Sequence, residues 1–68
     1  MKVNIVITFN EKVDSWSLWE EVCVFGNMNV TDMGVYTYVY GHVEFKDTRS
    51  ILAICSKYGK FEHEITAI

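Results

Sequence analysis

Apolar and polar residues alternate along three stretches of the chain, and a period of two is expected of half-buried β-strands. Residues 2–9 form the first stretch and residues 60–67 the last. Each has one mainly apolar side, made up of Val3, Ile5, Ile7 and Phe9 in the first stretch and of Phe61, His63, Ile65 and Ala67 in the last. These two segments are predicted to be the first and the last strand.

The middle stretch, residues 35–45, is predicted to belong to a β-hairpin, for which the sequence offers two turns. Both are three-residue loops that end in glycine, where a left-handed conformation closes the turn. The earlier one is Asp32-Met33-Gly34, whose aspartate can cap its own turn, and the later one is Val39-Tyr40-Gly41. The earlier turn requires a following strand of ~11 residues, whereas a typical strand has about six.

The earlier turn also assigns the wrong side chains to the core. With the earlier turn, the side chains of Asn27, Asn29 and Thr31 point to the core, whereas those of Met28 and Val30 face water. We therefore favour the later turn, although a slip of one residue in the pairing would reverse every assignment.

The later turn gives strands over residues 30–38 and 42–46. Tyr38 then lies opposite His42 and Tyr36 opposite Glu44, so these four side chains share one face of the sheet. The other face, directed at the core, holds Met33, Val35, Thr37, Val43 and Phe45.

Two further segments have the period of amphipathic helices. Asp14 is a favourable N-cap for a helix over residues 15–25, and Gly26 ends it. Ser17-x-x-Glu20 is also a capping-box pattern, so a later start fits the sequence as well. Asp47 is predicted to cap a second helix over residues 48–58, which Gly59 ends. The apolar stripes are Leu18, Trp19, Val22 and Cys23 in the first helix and Ile51, Ile54, Cys55 and Tyr58 in the second, with Trp16 at the edge of the first.

The order strand, helix, strand, strand, helix, strand in a single domain of residues 1–68 predicts an α+β fold. It is the order of the ferredoxin-like βαββαβ sandwich. Right-handed crossovers then give a four-stranded antiparallel sheet of order 4-1-3-2, with both helices on one face and the other face open.

Composition narrows the possible partners. Half of the 68 residues are hydrophobic, the net charge is −3, and the six basic residues are scattered along the chain. Since a basic patch is the usual mark of nucleic-acid binding, we expect no nucleic-acid partner. No segment is long and apolar enough to span a membrane or to act as a signal peptide, so we expect no membrane partner and a cytoplasmic location.

One short segment resembles part of a known family. Tyr40-Gly41-His42-Val43-Glu44-Phe45 is similar to the latter part of the signature strand of RNA-recognition-motif domains, which share this element order and stack bases on exposed aromatic rings. The chain has His42 where a stacking ring is expected, and Asn4 and Val6 where the first strand should supply another. The resemblance implies RNA binding, but the acidic open face and the place of Tyr40 in the favoured turn argue against it.

The sequence also suggests two kinds of reactive site, and we favour neither. His42-Val43-Glu44 and Glu62-His63-Glu64 carry metal-ligand atoms, but they lie on strands about 9–10 Å apart, and His63 points towards the helices. Cys23 and Cys55 lie on stripes aimed at the core, and neither belongs to a CxxC pattern, so we expect two reduced, buried and inert thiols. No catalytic residue, cofactor or metal is predicted.

The function that the sequence favours is a small, non-enzymatic protein-interaction module that self-associates. Strand two is an edge strand without Lys, Arg or Pro, and its only charge is Asp32, so it is open to pairing with another chain. We expect a homodimer joined through strand two, and an unidentified protein partner also fits. The candidate interaction surface is Val35, Tyr36, Tyr38, His42 and Glu44. The alternative is a small-ligand-binding regulatory domain, which should show a pocket with convergent polar groups.

Overall fold

A computed structural model describes all 68 residues, Met1–Ile68, as four strands and two α-helices. The strands are β1 (Lys2–Phe9), β2 (Gly26–Asp32), β3 (Thr37–Glu44) and β4 (Phe61–Ala67), and the helices are α1 (Ser15–Val22) and α2 (Thr48–Ser56). Short 3₁₀ segments, Cys23–Phe25 and Phe45–Asp47, link α1 to β2 and β3 to α2. Neither helix has the length and apolar character needed to cross a membrane.

The sheet confirms the predicted ferredoxin-like arrangement. Its order is β2-β3-β1-β4, which is the predicted order read from the opposite edge, and all three pairings are antiparallel. Strands β1 and β3 occupy the centre, whereas β2 and β4 form the edges. Both helices contribute to the one core, so they cover the same face of the sheet and leave the other face open.

The core is built from the apolar sides that the period of two and the helical stripes define. Strand β1 supplies its odd-numbered residues, and each helix supplies two residues one turn apart. The buried cluster consists of Val3, Ile5, Ile7, Phe9, Leu18, Val22, Met28, Val39, Val43, Ile51 and Cys55.

Local chemistry explains where the two helices begin. The Asp14 carboxylate accepts a hydrogen bond from the Ser17 backbone N–H at 3.2 Å, which confirms Asp14 as the N-cap of α1. Asp47 occupies the N-cap position of α2, as predicted, but its side chain makes no capping hydrogen bond. The Thr48 hydroxyl instead donates to the Phe45 carbonyl at 2.8 Å, which secures the 3₁₀ turn before α2.

The favoured hairpin turn is also wrong. Val39, Tyr40 and Gly41 lie inside β3, and the hairpin turns at residues 33–36, between Asp32 and Thr37. The Asp32 carboxylate accepts the Gly34 N–H at 2.9 Å, and Gly34 has a φ of 91°, which only glycine adopts without strain. The local chemistry of Asp32-Met33-Gly34 therefore does form the turn.

The loop length explains the error. A three-residue loop would pair Thr31 with Val35 and send Met28 and Val30 to water, but the actual loop has four residues and pairs Asp32 with Thr37. One extra residue reverses the facing of a whole strand. Met28 is consequently buried and Val30 half-buried, while Asn27 and Asn29 face solvent.

Three residues assigned to the core lie outside it as a result. Met33 and Val35 belong to the loop, and Val35 is 80% exposed. Phe45 lies in the 3₁₀ segment after β3 and is 54% exposed. On β4, His63 does lie on the helix side opposite Ile7, but it is exposed.

Gly41 is required by close packing between β2 and β3. A Cβ atom at this position would overlap the Asn27 carbonyl oxygen and would lie 2.6 Å from the Met28 sulfur. The missing side chain makes room for Met28 to reach into the core beside β3. Glycine here is explained by the approach of another strand and not by a turn.

Truncation of Ile5 should therefore destabilise the protein much more than truncation of Phe45. We expect Ile5→Ala to lower the free energy of unfolding by about 2–5 kcal/mol, because it leaves a cavity between β1 and both helices. Phe45→Ala should change it by less than about 0.5 kcal/mol, as usual for surface substitutions. Denaturant unfolding followed by tryptophan fluorescence measures both, and a large loss for Phe45→Ala would contradict the register described above.

Candidate functional site

The open face of the sheet carries three rows of side chains that run across the strands. The pairing register places one residue from each strand in every row. From β2 to β4, the rows are Asn27–His42–Asn4–Thr66, Asn29–Tyr40–Val6–Glu64 and Thr31–Tyr38–Thr8–Glu62. The β2 side of this face is thus uncharged and partly aromatic, and the β4 side is acidic.

A shallow cavity of about 560 Å³ lies over the uncharged side, and we call it the open-face hollow. Its polar and aromatic lining consists of Asn4, Asn27, Asn29, Tyr38, Tyr40, His42 and Thr66. The Tyr38 and Tyr40 rings are neighbours, with centroids 5.3 Å apart, and Tyr40 is 40% exposed. No side chain of this lining forms a hydrogen bond within the protein. Their donors and acceptors are available to a ligand.

A second hollow of about 310 Å³ adjoins the first at Val6, and we call it the acidic hollow after its two glutamates. The rest of its lining is Thr8 and His63. Glu62 and Glu64 both line it, and neither takes part in any of the four ion pairs of the protein. Glu44, the other carboxylate of this face, does have partners. It accepts a hydrogen bond from the Met1 ammonium at 3.2 Å, which lowers the pKa of Glu44, and lies 3.8 Å from Lys2 Nζ.

The residues of the predicted interaction surface fall in two places. Tyr38, His42 and Glu44 lie together on β3, on the open face. Val35 and Tyr36 lie in the hairpin loop and not on an edge strand. The sequence did not identify Tyr40, Asn27 and Asn29 as site residues, because the favoured turn removed them from this face. The alternation of Met28 and Val30 with the two asparagines was the signal that could have found them.

The second candidate region is the exposed edge of β2. The Met33 N–H donates to the Tyr36 carbonyl at 2.9 Å. In an antiparallel ladder every second residue directs its backbone N–H and C=O to the partner strand, so this bond identifies which residues of β2 do so. Asn27, Asn29 and Thr31 therefore bond to β3, and the backbone groups of Met28 and Val30 point away from the sheet. From Gly26 to Asp32 the strand contains no Lys, Arg or Pro.

Two exposed tryptophans lie beside this edge on the helix side. Trp16 is 68% exposed and Trp19 is 39% exposed, and their ring centroids are 5.7 Å apart. With Ser15 and Val30 they line a depression of about 230 Å³. Trp19 was predicted to be on the buried stripe, which is wrong because α1 packs on an edge strand with no further strand to cover the ring.

A polar cluster ties the two helices together. Glu21 on α1 accepts a hydrogen bond from Lys57 Nζ at 2.7 Å and another from the Tyr58 hydroxyl. Both hydrogen bonds lower the pKa of Glu21, and the bond from Lys57 has the larger effect. The same carboxylate raises the pKa of Tyr58 to about 12. Since these shifts keep Glu21 ionised and Tyr58 protonated at neutral pH, the cluster is suited to structural support.

The remaining candidate chemistry is not assembled into a site. No group of three His, Cys, Asp or Glu side chains lies close enough to hold a metal ion. His42 and Glu64 lie on strands separated by β1. Cys55 is buried, whereas Cys23 is only half-buried, contrary to the prediction that both thiols are buried. Burial, followed by the nearby charge of Glu21, raises the pKa of Cys55 to about 12.

Comparison of the chain with protein-family models, with curated proteins and with solved structures found no match.

The two cysteines should differ in reactivity. At pH 8 iodoacetamide should label Cys23 alone in the folded protein, because the Cys55 thiol is buried and stays protonated. Both should react after denaturation. Mass spectrometry of digested samples counts the labels, and labelling of Cys55 in the folded protein at the rate of Cys23 would contradict the described packing.

Acid should weaken the link between the helices. Because its pKa is lowered in the folded state, Glu21 stabilises the protein above its ordinary pKa of 4.5, and this contribution is lost as the pH falls below that value. Glu21→Gln should therefore reduce the fall in stability between pH 5 and pH 3, whereas Glu20→Gln, on the same helix, should not. Thermal melts across this range measure the difference, and equal slopes for both variants would show that the Glu21 contacts contribute nothing.

Proposed function

We propose that this protein is a small, non-enzymatic interaction module that self-associates by pairing β2 with β2 of a second copy. The observation that carries the proposal is the open edge of β2 beside the exposed pair Trp16 and Trp19. Unpaired edge strands are sites of strand addition unless charge or proline blocks them. Exposed tryptophans are the residues most often found at the energetic centre of protein interfaces.

The two edges of the sheet differ in a way that favours β2. Strand β4 carries Glu62 and Glu64 along its length and follows Lys60, so its edge is protected by charge. The only charged residue of β2 is Asp32 at its end, and Lys12 lies 3.1 Å from that carboxylate. Pairing through β2 therefore meets the smaller electrostatic cost.

The sequence of β2 is suited to pairing with itself. A two-fold axis at Asn29 pairs all seven residues and places Met28 of one copy opposite Val30 of the other. The backbone N–H and C=O groups of Met28 and Val30 point outwards from the edge of β2. In this register they hydrogen-bond to the same groups of the second copy. Asp32 then lies opposite Gly26, and no like charges face each other across the seam.

The same symmetry brings the tryptophans together. Helix α1 packs on β2, so the two α1 helices become neighbours on the helix side of a continuous eight-stranded sheet. Trp16 and Trp19 of each copy then face the depression of the other. For a 68-residue domain with a small core, this added burial is a substantial gain.

The residues beside this β2–β2 pairing differ from the candidate interaction surface suggested by the sequence. Tyr36 and Tyr38 belong to the loop and to β3, so they do not flank it. Asn27, Asn29 and Thr31 take that place on the open face.

We also propose that the protein is cytoplasmic and has no nucleic-acid partner. Two free cysteines in so small a domain are typical of a reducing compartment, which supports the cytoplasm. The unpaired Glu62 and Glu64 repel phosphate, which supports the absence of a nucleic-acid partner.

Sedimentation equilibrium tests self-association directly. We expect a dimer at ~100 μM, a concentration that populates complexes with micromolar dissociation constants. Val30→Pro removes an N–H that points outwards and leaves the β2–β3 ladder intact, so it should yield a folded monomer. Val30→Ala keeps the N–H and should remain dimeric, and Ile65→Pro, the matched change on β4, should also remain dimeric.

Trp16→Ala provides a second test that does not depend on the backbone. The ring is mostly exposed in the single chain, so its loss should leave the thermal melt of the monomer unchanged and weaken the dimer by about tenfold or more, as for an interface hot spot. Ile68→Ala, an exposed apolar residue next to β4, is the control. A wild-type monomer at ~100 μM, or a dimer that survives both Val30→Pro and Trp16→Ala, would overturn the proposal.

A further inference from the structure

We propose that the open face binds an extended basic peptide of the pattern Arg-x-Arg, with the two arginines at Glu62 and Glu64 and an aromatic residue x over Tyr38 and Tyr40. The inference goes beyond self-association, because strand pairing at β2 takes place in the plane of the sheet and leaves the open face free.

The charge of the face selects a cationic partner. Glu62 and Glu64 line the acidic hollow, and neither has a cation of the protein within 4 Å. Two positive groups of this face, Lys2 and the Met1 ammonium, are directed to Glu44 instead. Lys60, on the same side of the chain just before β4, forms no ion pair with either carboxylate. The two free carboxylates are thus available to a positive ligand and unfavourable to an anionic one.

The spacing of the carboxylates matches an extended chain. Glu62 and Glu64 are two residues apart on one face of β4, which corresponds to about 7 Å. The first and third side chains of an extended peptide have the same spacing and point to the same side. Guanidinium groups are preferred over ammonium groups because their planar donors match a carboxylate in bidentate geometry.

The adjoining open-face hollow receives the residue between the arginines. A peptide that lies along β1, over Val6 and Thr8, directs its first and third side chains to β4 and its second to β3. There it meets the paired rings of Tyr38 and Tyr40. Aromatic contact with these rings and hydrogen bonds from unpartnered amides such as Asn4 hold that side of the peptide.

Titration calorimetry with the peptide acetyl-Gly-Arg-Phe-Arg-Gly-amide tests the proposal. We expect one site per chain, with affinity that falls as sodium chloride is raised from 50 to 500 mM, since exposed charge pairs are screened by salt. The peptide with Glu in place of both Arg should not bind, and the peptide with Gly in place of Phe should bind more weakly.

Variants of the protein locate the site. Glu62→Gln combined with Glu64→Gln should weaken binding by about tenfold, as two exposed ion pairs allow. Tyr40→Ala should weaken it by about threefold, in line with loss of one aromatic contact. Glu11→Gln combined with Glu20→Gln removes the same charge away from this face, and Tyr36→Ala removes a tyrosine from the loop, so neither should alter the affinity.

Three results would overturn the proposal. Equal loss of affinity in the two double-glutamine variants would show attraction by net charge alone. Binding unchanged by Tyr40→Ala would remove the aromatic contact from the site. Tighter binding of a single-stranded oligonucleotide than of the Arg-Phe-Arg peptide would assign the face to a different partner.

Discussion

The four-residue loop between Asp32 and Thr37 determines what both faces of the sheet present. It fixes the pairing of β2 with β3, and a pairing with a period of two leaves each side chain only two possible directions. With this loop length Met28 enters the core, while the asparagines of β2 join Tyr40 and His42 on the open face. The core and the polar surface above it are thus consequences of a single register.

Charge is distributed over the molecule in a way that separates its surfaces. Glu21 and Glu44 are held by cations of the chain itself, and Asp32 lies beside Lys12. Glu62 and Glu64 have no such partners, and they protect the β4 edge as well as lining the acidic hollow. The β2 edge has apolar side chains and tryptophans in place of charge. The two edges of one small sheet therefore differ in charge, and the proposed pairing through β2 rests on this difference.

The architecture could be predicted from the sequence because its signals are local and repeated. The alternation along β1 and the Asp14 cap each involve a few neighbouring residues, and the element order then restricts the topology. The hairpin could not be predicted, because three- and four-residue loops around Asp32-Met33-Gly34 use the same turn residues. They differ only in having an odd or an even number of residues, which decides the side of the sheet that each β2 side chain faces. That error transferred Tyr40 from the open face to a turn. The exposure of Trp19 could not be predicted from the sequence either, because it depends on the packing of α1 over an edge strand.

Gly41 has a consequence for how this sequence can diverge. The obstacle to a larger residue there is partly the Asn27 carbonyl oxygen, which belongs to the backbone and cannot be shortened by substitution. A smaller residue in place of Met28 would relieve only the contact with the sulfur. Positions 28 and 41 are therefore unequal, since Met28 can be exchanged for other apolar residues whereas Gly41 cannot change until the two strands separate. Among sequences that descend from this chain, we expect position 41 to remain glycine while the residues around it are substituted.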